Sequence, residues 1–167
     1  VGLFPGKSQY WSQLASTYSI LDDGETSYYI RIMMYIQDMM KKSTELGTLG
    51  SLHIYKETPI RGTRVLEKGF ADGILKKEAD NYETLSIAYQ EAREWQKSIK
   101  PLGIAADLSE KGDLYIRLCQ SYRLDRAFAT RAGACRRVLN PGEWRAHGGA
   151  GVGRATAEEW LGTLRAA

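Results

Sequence analysis

Cysteine is scarce in this chain. Cys119 and Cys135 stand alone among 167 residues, with no CxxC pair and no Cys/His spacing that suits zinc. A metal-stapled fold is set aside, and no metal or cofactor is expected. The two thiols read as small buried apolar residues, or as a pair facing across neighbouring helices. Histidine is equally rare. His53 lies in an apolar stretch where packing accounts for it, and His147 lies in a glycine-rich loop without a ligand at useful spacing. No apolar run approaches ~18 residues, so no membrane span is expected. No signal peptide opens the sequence, which starts at Val1 and reads as a processed protein or an excised fragment.

Charge of one sign is also missing as a cluster. The net charge is +3, but acidic and basic residues are interleaved over most of the length, which argues against a nucleic-acid face. One asymmetry remains: no lysine follows Lys111, whereas arginine, glycine and alanine thicken towards the end. With 43% hydrophobic and 26% charged residues, the chain has the composition of an ordinary globular protein. Its length suits one compact domain or a short repeat array.

What is present is a beat. Trp11-x2-Leu14-Ala15-x2-Tyr18 is echoed by Leu46-x2-Leu49-Gly50-x2-His53, by Tyr82-x2-Leu85-Ser86-x2-Tyr89 and by Tyr115-x2-Leu118-Cys119-x2-Tyr122. The lead residues lie 35, 36 and 33 positions apart. A second phrase follows in the middle units, Gly62-x3-Leu66-x2-Gly69 and Ser98-x3-Leu102-x2-Ala105. This pattern resembles the tetratricopeptide repeat (TPR), a helix pair of ~34 residues with aromatic, Leu-Gly and Tyr on its first helix and small, bulky, small on its second. Large residues are knobs, and small ones let two antiparallel helices approach closely. One hairpin cannot bury its own apolar face, so several must stack.

The fold expected is all-α, a right-handed α-solenoid of about four antiparallel hairpins at 8–42, 43–78, 79–111 and 112–142. A glycine-rich loop at 143–155 and a capping or truncated helix at 156–167 follow. Asp22-Asp23-Gly24, Glu57-Thr58-Pro59 and Arg93-Glu94 fall where hairpin turns belong, and Asn140-Pro141-Gly142 closes the fourth unit. Departures exist. Arg31 and Met34 stand where the pattern expects a bulky apolar and a small residue, Arg131 stands where Leu belongs, and Pro101 should kink its helix or delay its start. Thr156-Ala-Glu-Glu159 is a capping box opening the last helix.

At a finer level, WSQLASTY at 11–18, LGSLHIYKETP at 49–59, VLEKGFADGIL at 65–75, ADNYETL at 79–85, AREWQKSIKPL at 92–102 and NPG at 140–142 are similar to TPR proteins of TonB–ExbB–ExbD energy-transduction clusters in Gram-negative bacteria. That resemblance spans residues 8–142. It implies a periplasmic, non-enzymatic accessory of iron-siderophore uptake with TonB, ExbB or ExbD components as partners; a cytoplasmic location is the alternative.

Enzyme motifs fail on inspection. GGAGVGRAT at 148–156 puts Arg154 and Ala155 where a phosphate-binding loop needs Lys and Ser/Thr. No GxSxG setting accompanies the serines. The arginine-rich helix 125–139 has helix-turn-helix spacing, which makes a DNA-binding regulator the alternative function. However, Asn140-Pro141 ends its reading helix after about one turn. Nucleic acid is therefore not the expected partner.

A stacked array presents its first helices on a concave face, and the repeat phase selects the residues that point there. They are Gln9, Ser12, Ser16, Ser19 and Ile20; Thr44, Gly47, Ser51, Ile54 and Tyr55; Asp80, Glu83, Ile87, Gln90 and Glu91; and Asp113, Ile116, Gln120, Arg123 and Leu124. The face reads as hydroxyl-rich at one end and acidic at Asp80, Glu83 and Glu91. No lysine or arginine clamp for a carboxylate appears in it. The expected function is a protein–protein scaffold that holds a peptide or helix of a partner.

Overall fold

The computed structural model describes residues 6–109 and 112–124. Every element among them is an α-helix: α1 (Ser8–Ile20), α2 (Gly24–Ile36), α3 (Ser43–Tyr55), α4 (Pro59–Ala71), α5 (Ala79–Glu91), α6 (Trp95–Ser109) and α7 (Gly112–Leu124). The chain divides after Lys76 into two compact units, the first holding α1 to α4 and the second α5 to α7. In the first, α1 packs on α2 and α3 on α4; in the second, α6 packs on both α5 and α7. The expectations for Arg131, His147, Cys135, the helix 125–139, the loop 143–155 and the helix 156–167 concern positions outside the described residues. The side chain of Cys119 lies outside them too.

Helix boundaries follow from local chemistry. Asp23 caps α2 by accepting from the Thr26 backbone N–H at 3.0 Å and the Thr26 hydroxyl at 2.7 Å. Those bonds hold its carboxyl below the usual range. Pro59 opens α4, where its missing N–H costs nothing. Five helices end alike. Asp22, Asp38, Glu57, Gly73 and Arg93 adopt φ between 53° and 70°, and the next residue returns its N–H to a carbonyl five positions back. The bonds run from Asp23 to Tyr18, Met39 to Met34, Thr58 to His53, Ile74 to Gly69 and Glu94 to Tyr89, at 2.9–3.0 Å. Glycine relieves the left-handed conformation at Gly73 alone. At the other four positions the side chain costs about 1 kcal/mol.

Small residues sit where the two helices of each hairpin cross. In the first hairpin, Ser27 Oγ donates to the Ala15 carbonyl at 2.7 Å, and Ala15 is fully buried. In the second, a Cβ on Gly62 would lie 3.1 Å from the Gly50 carbonyl oxygen and 3.2 Å from His53 Cβ. A Cβ on Gly50 would fall 2.6 Å from Leu66. In the third, Ser86 and Ser98 occupy the crossing, both fully buried. Ser98 Oγ donates to the Trp95 carbonyl at 2.6 Å, whereas Ser86 Oγ makes no hydrogen bond.

Bulk fills the rest. Leu49, Leu66 and Leu102 are wholly buried. Ile99, Leu102, Ala105, Ala106, Leu114 and Leu118 form one cluster of the second unit, flanked by Tyr82 and Tyr115. Two expectations change. Met34 is 1% exposed, so a long flexible side chain takes the slot reserved for a small residue, while Arg31 stays half-buried. Pro101 does not delay α6, which begins at Trp95 and carries the proline buried within it.

Candidate partner-binding groove

In the first unit an open groove of about 720 Å³ runs along α1. Its floor is Ser8, Gln9, Ser12, Gln13, Ser16, Thr17 and Ile20, a stripe at the spacing of one helix face. Its rim is Met39, Lys41 and Lys42 from the α2–α3 connector and Glu45 from the first turn of α3. Carbon alone does not decide what such a groove accepts; proton positions do. Ser12 Oγ donates to Glu45 Oε1 at 2.9 Å, Ser16 Oγ to the Ser12 carbonyl at 2.9 Å, and Thr17 Oγ1 to the Gln13 carbonyl at 3.0 Å. Three hydroxyl hydrogens are thus committed within the protein, and the lone pairs remain. These hydroxyls present acceptors.

The two lysines of the rim differ. Lys41 donates to Asp38 at 2.7 Å, an exposed pair that also holds the Asp38 carboxyl below its ordinary range. Lys42 makes no ion pair among the described residues, and it is exposed. An exposed cation with no ion pair among the described residues therefore borders a row of acceptors. Both lysines arrive from the connector, which a count along helix positions leaves out.

The residues selected by repeat phase are distributed as follows. Ser12 and Ser16 line the groove together with Gln9 and Ile20. Ser19 is exposed on α1 beyond the lining, and Ser51 and Tyr55 are exposed on α3 outside it. In the second unit, Asp80, Glu91 and Gln120 are exposed, while Ile87 is half-buried. Glu83 is half-buried and ion-paired with Arg117 of α7. Gln90 Nε2 donates to Ser121 Oγ at 3.2 Å. Glu83 and Gln90 thus tie α5 to α7, and the open acidic groups that α5 adds to this face are Asp80 and Glu91. Arg123 belongs to α7, with its side chain outside the described set. Ser8, Gln13, Thr17, Met39, Lys41, Lys42 and Glu45 were not selected by phase. The one available signal was the Lys41-Lys42 pair placed directly before α3.

His53 is a buried polar residue of the first unit, 4% exposed. Its Nδ1 lies 3.0 Å from the Tyr28 hydroxyl and 3.1 Å from Thr58 Oγ1, with Tyr28 edge-on to the ring at 5.4 Å. Burial, with the Arg61 charge adding to it, lowers the pKa of the imidazole below its ordinary value. The ring is neutral at neutral pH. Among the described residues no group of three or more His, Cys, Asp or Glu side chains is placed to hold a metal, and no helix is long and apolar enough to cross a membrane.

No protein-family model matches the chain, and no curated protein matches it. Solved structures do. The MamA RS-1 ArsTM double mutant superposes with a TM-score of 0.65 at 17% identity, covering 85% of this chain and 78% of its own. MamA from residue 41 to its end, from Desulfovibrio magneticus RS-1, gives a TM-score of 0.61 at 17% identity, covering 79% and 73%. At this identity the likeness speaks to the fold. MamA is a TPR-repeat protein, and the chain shares its all-α helical-repeat architecture.

Proposed function

We propose that the chain is a non-catalytic scaffold that holds a segment of a partner protein along α1. The observation that carries this reading is the groove itself, open and floored in part by three hydroxyls, those of Ser12, Ser16 and Thr17, whose hydrogens are already used. Such a floor suits an extended segment, whose backbone N–H groups need acceptors and gain little from burial alone. Lys42 adds a site for a carboxylate of that segment, while Ile20 and Met39 offer apolar contact. Helical repeats of this kind use extended surfaces in this way. In the second unit, Asp80 and Glu91 are a further contact surface for basic side chains.

The test is capture by the full chain, quantified by mass spectrometry, against a Ser16→Arg/Lys42→Glu variant. Both positions are exposed, so the fold should persist. Partners of the groove should fall by at least about tenfold in recovery, equivalent to about 1.4 kcal/mol. Equal recovery by the two proteins rules the groove out.

The finer reading is an accessory of a TonB–ExbB–ExbD system working in the periplasm. It rests on the phrases at 11–18, 49–59, 65–75, 79–85 and 92–102. Co-purification of TonB, ExbB or ExbD from a Gram-negative host, together with release of the chain by osmotic shock, supports it. Recovery in the cytoplasmic fraction without those components discards it.

A further inference from the structure

In the first unit α2 carries an apolar strip that the packing of the hairpins leaves open. Tyr29, Met33 and Ile36 are 59%, 45% and 69% exposed. They lie four and three residues apart, so they share one face of the helix, turned away from the face that buries Ser27, Ile30 and Met34. Ile32, half-buried, borders the same strip. The ring of Tyr29 rests against that of buried Tyr28, with centroids 5.6 Å apart, which makes it a fixed anchor.

The second helices of the other hairpins, α4 and α6, show what a solvated version of this face contains. Aligning the crossing residues Ser27, Gly62 and Ser98 sets Arg64, Lys68 and Ala71, then Lys100, Ile104 and Asp107, in the places of Tyr29, Met33 and Ile36. Arg64, Lys68, Lys100 and Asp107 are exposed charges, which hold water and keep copies of a protein apart. The strip on α2 has none. The charge at its N-terminal edge, Glu25, is already paired with Lys56, so covering the strip strands no ion.

Symmetry and area indicate what covers it. The strip is nearly centred on Met33. A second α2 laid antiparallel brings Met33 against Met33 and Tyr29 against Ile36, the self-complementary contact that a two-fold axis requires. The three side chains expose roughly 350 Å² of mainly apolar surface per copy, and at about 60% apolar content an interface built around them buries on the order of 1,200 Å² in total. That is enough for a specific, reversible dimer and too little for an obligate one.

From this geometry we infer that the strip is a homodimer contact, in which two copies of the chain pair through antiparallel α2 helices about a two-fold axis beside Met33. The inference goes beyond the groove reading and stands apart from it, since the strip and the α1 groove share no residue.

The experiment uses the full chain and no other protein. In sedimentation equilibrium the mass should rise from one chain to two, with a midpoint on the order of 100 μM. Met33→Lys, which copies the residue α4 carries at that place, should raise the midpoint at least about tenfold, with helicity and thermal unfolding unchanged. Position is read by disulfide trapping in a Cys119→Ser/Cys135→Ser background. Helices packed at about 8–10 Å bring facing Cα atoms to about 4–6 Å, within disulfide reach. Met33→Cys should therefore cross-link with itself. Tyr29→Cys should cross-link to Ile36→Cys at least about fivefold faster than either does alone. A single-chain mass up to about 500 μM overturns the dimer, as does a dimer that Met33→Lys leaves intact, or equal cross-linking at all three positions. A single-chain mass together with loss of a captured protein in Met33→Lys also overturns it, and gives the strip to a different partner.

Discussion

The two units solve one problem with different chemistry. In the first, the seam between successive hairpins is closed by a buried neutral network, Tyr28 to His53 to Thr58. In the second, the corresponding tie between α5 and α7 is a half-buried ion pair, Glu83 with Arg117, and a side-chain bond from Gln90 to the buried Ser121. Crossing points vary as well, with Gly50 and Gly62 in one hairpin and Ser86 with Ser98 in another. The lesson is that the repeat specifies spacing and leaves the means of filling it open. A buried neutral contact answers to protons and an ion pair answers to salt.

That contrast can be broken at graded cost. Leu66→Ala in the first unit and Leu102→Ala in the second remove wholly buried side chains, and each should cost about 2–5 kcal/mol in urea unfolding. Similar losses in both units would place the shared apolar frame beneath their differences. Next, Gly62→Val should cost about 1–3 kcal/mol, because the Gly50 carbonyl is backbone and cannot retreat. The pH profile comes third. His53 has a lowered folded-state pKa, so its contribution is complete above its unfolded value of about 6.5 and is lost as pH falls below it towards the folded value. Stability should decline there with a slope of at most about 1.4 kcal/mol per pH unit, and His53→Tyr should flatten that component. Fourth, Arg93→Gly should stabilise by about 0.5–1 kcal/mol by relieving a left-handed helix end. Smallest is Arg117→Gln, worth about 0.2–1 kcal/mol. That difference should shrink with added salt, whereas Tyr28→Phe should be nearly insensitive to it.

The helical frame was legible because packing forces bulk to recur. Leu49, Leu66 and Leu102 could be placed by counting, and so could the turns at Asp22-Asp23, Glu57-Thr58 and Arg93-Glu94. Counting failed wherever a side chain's neighbour lay on another helix. Glu83 has the phase of an open groove residue, yet Arg117, 34 positions on, claims it. His53 was legible as packing but not as a hydrogen-bonded joint, since its partners Tyr28 and Thr58 come from a different helix and from a turn. Pro101 is a different case. Of the two expected outcomes, a kink or a delayed start, the delay does not occur, since α6 starts at Trp95 with the proline inside it.

Lys41 and Lys42 sit on a connector, not on a packed helix. Rewriting them leaves every knob and crossing of the core untouched. On the proposed reading of the groove, a change of client would then need only two surface codons, with the architecture that displays them inherited unchanged.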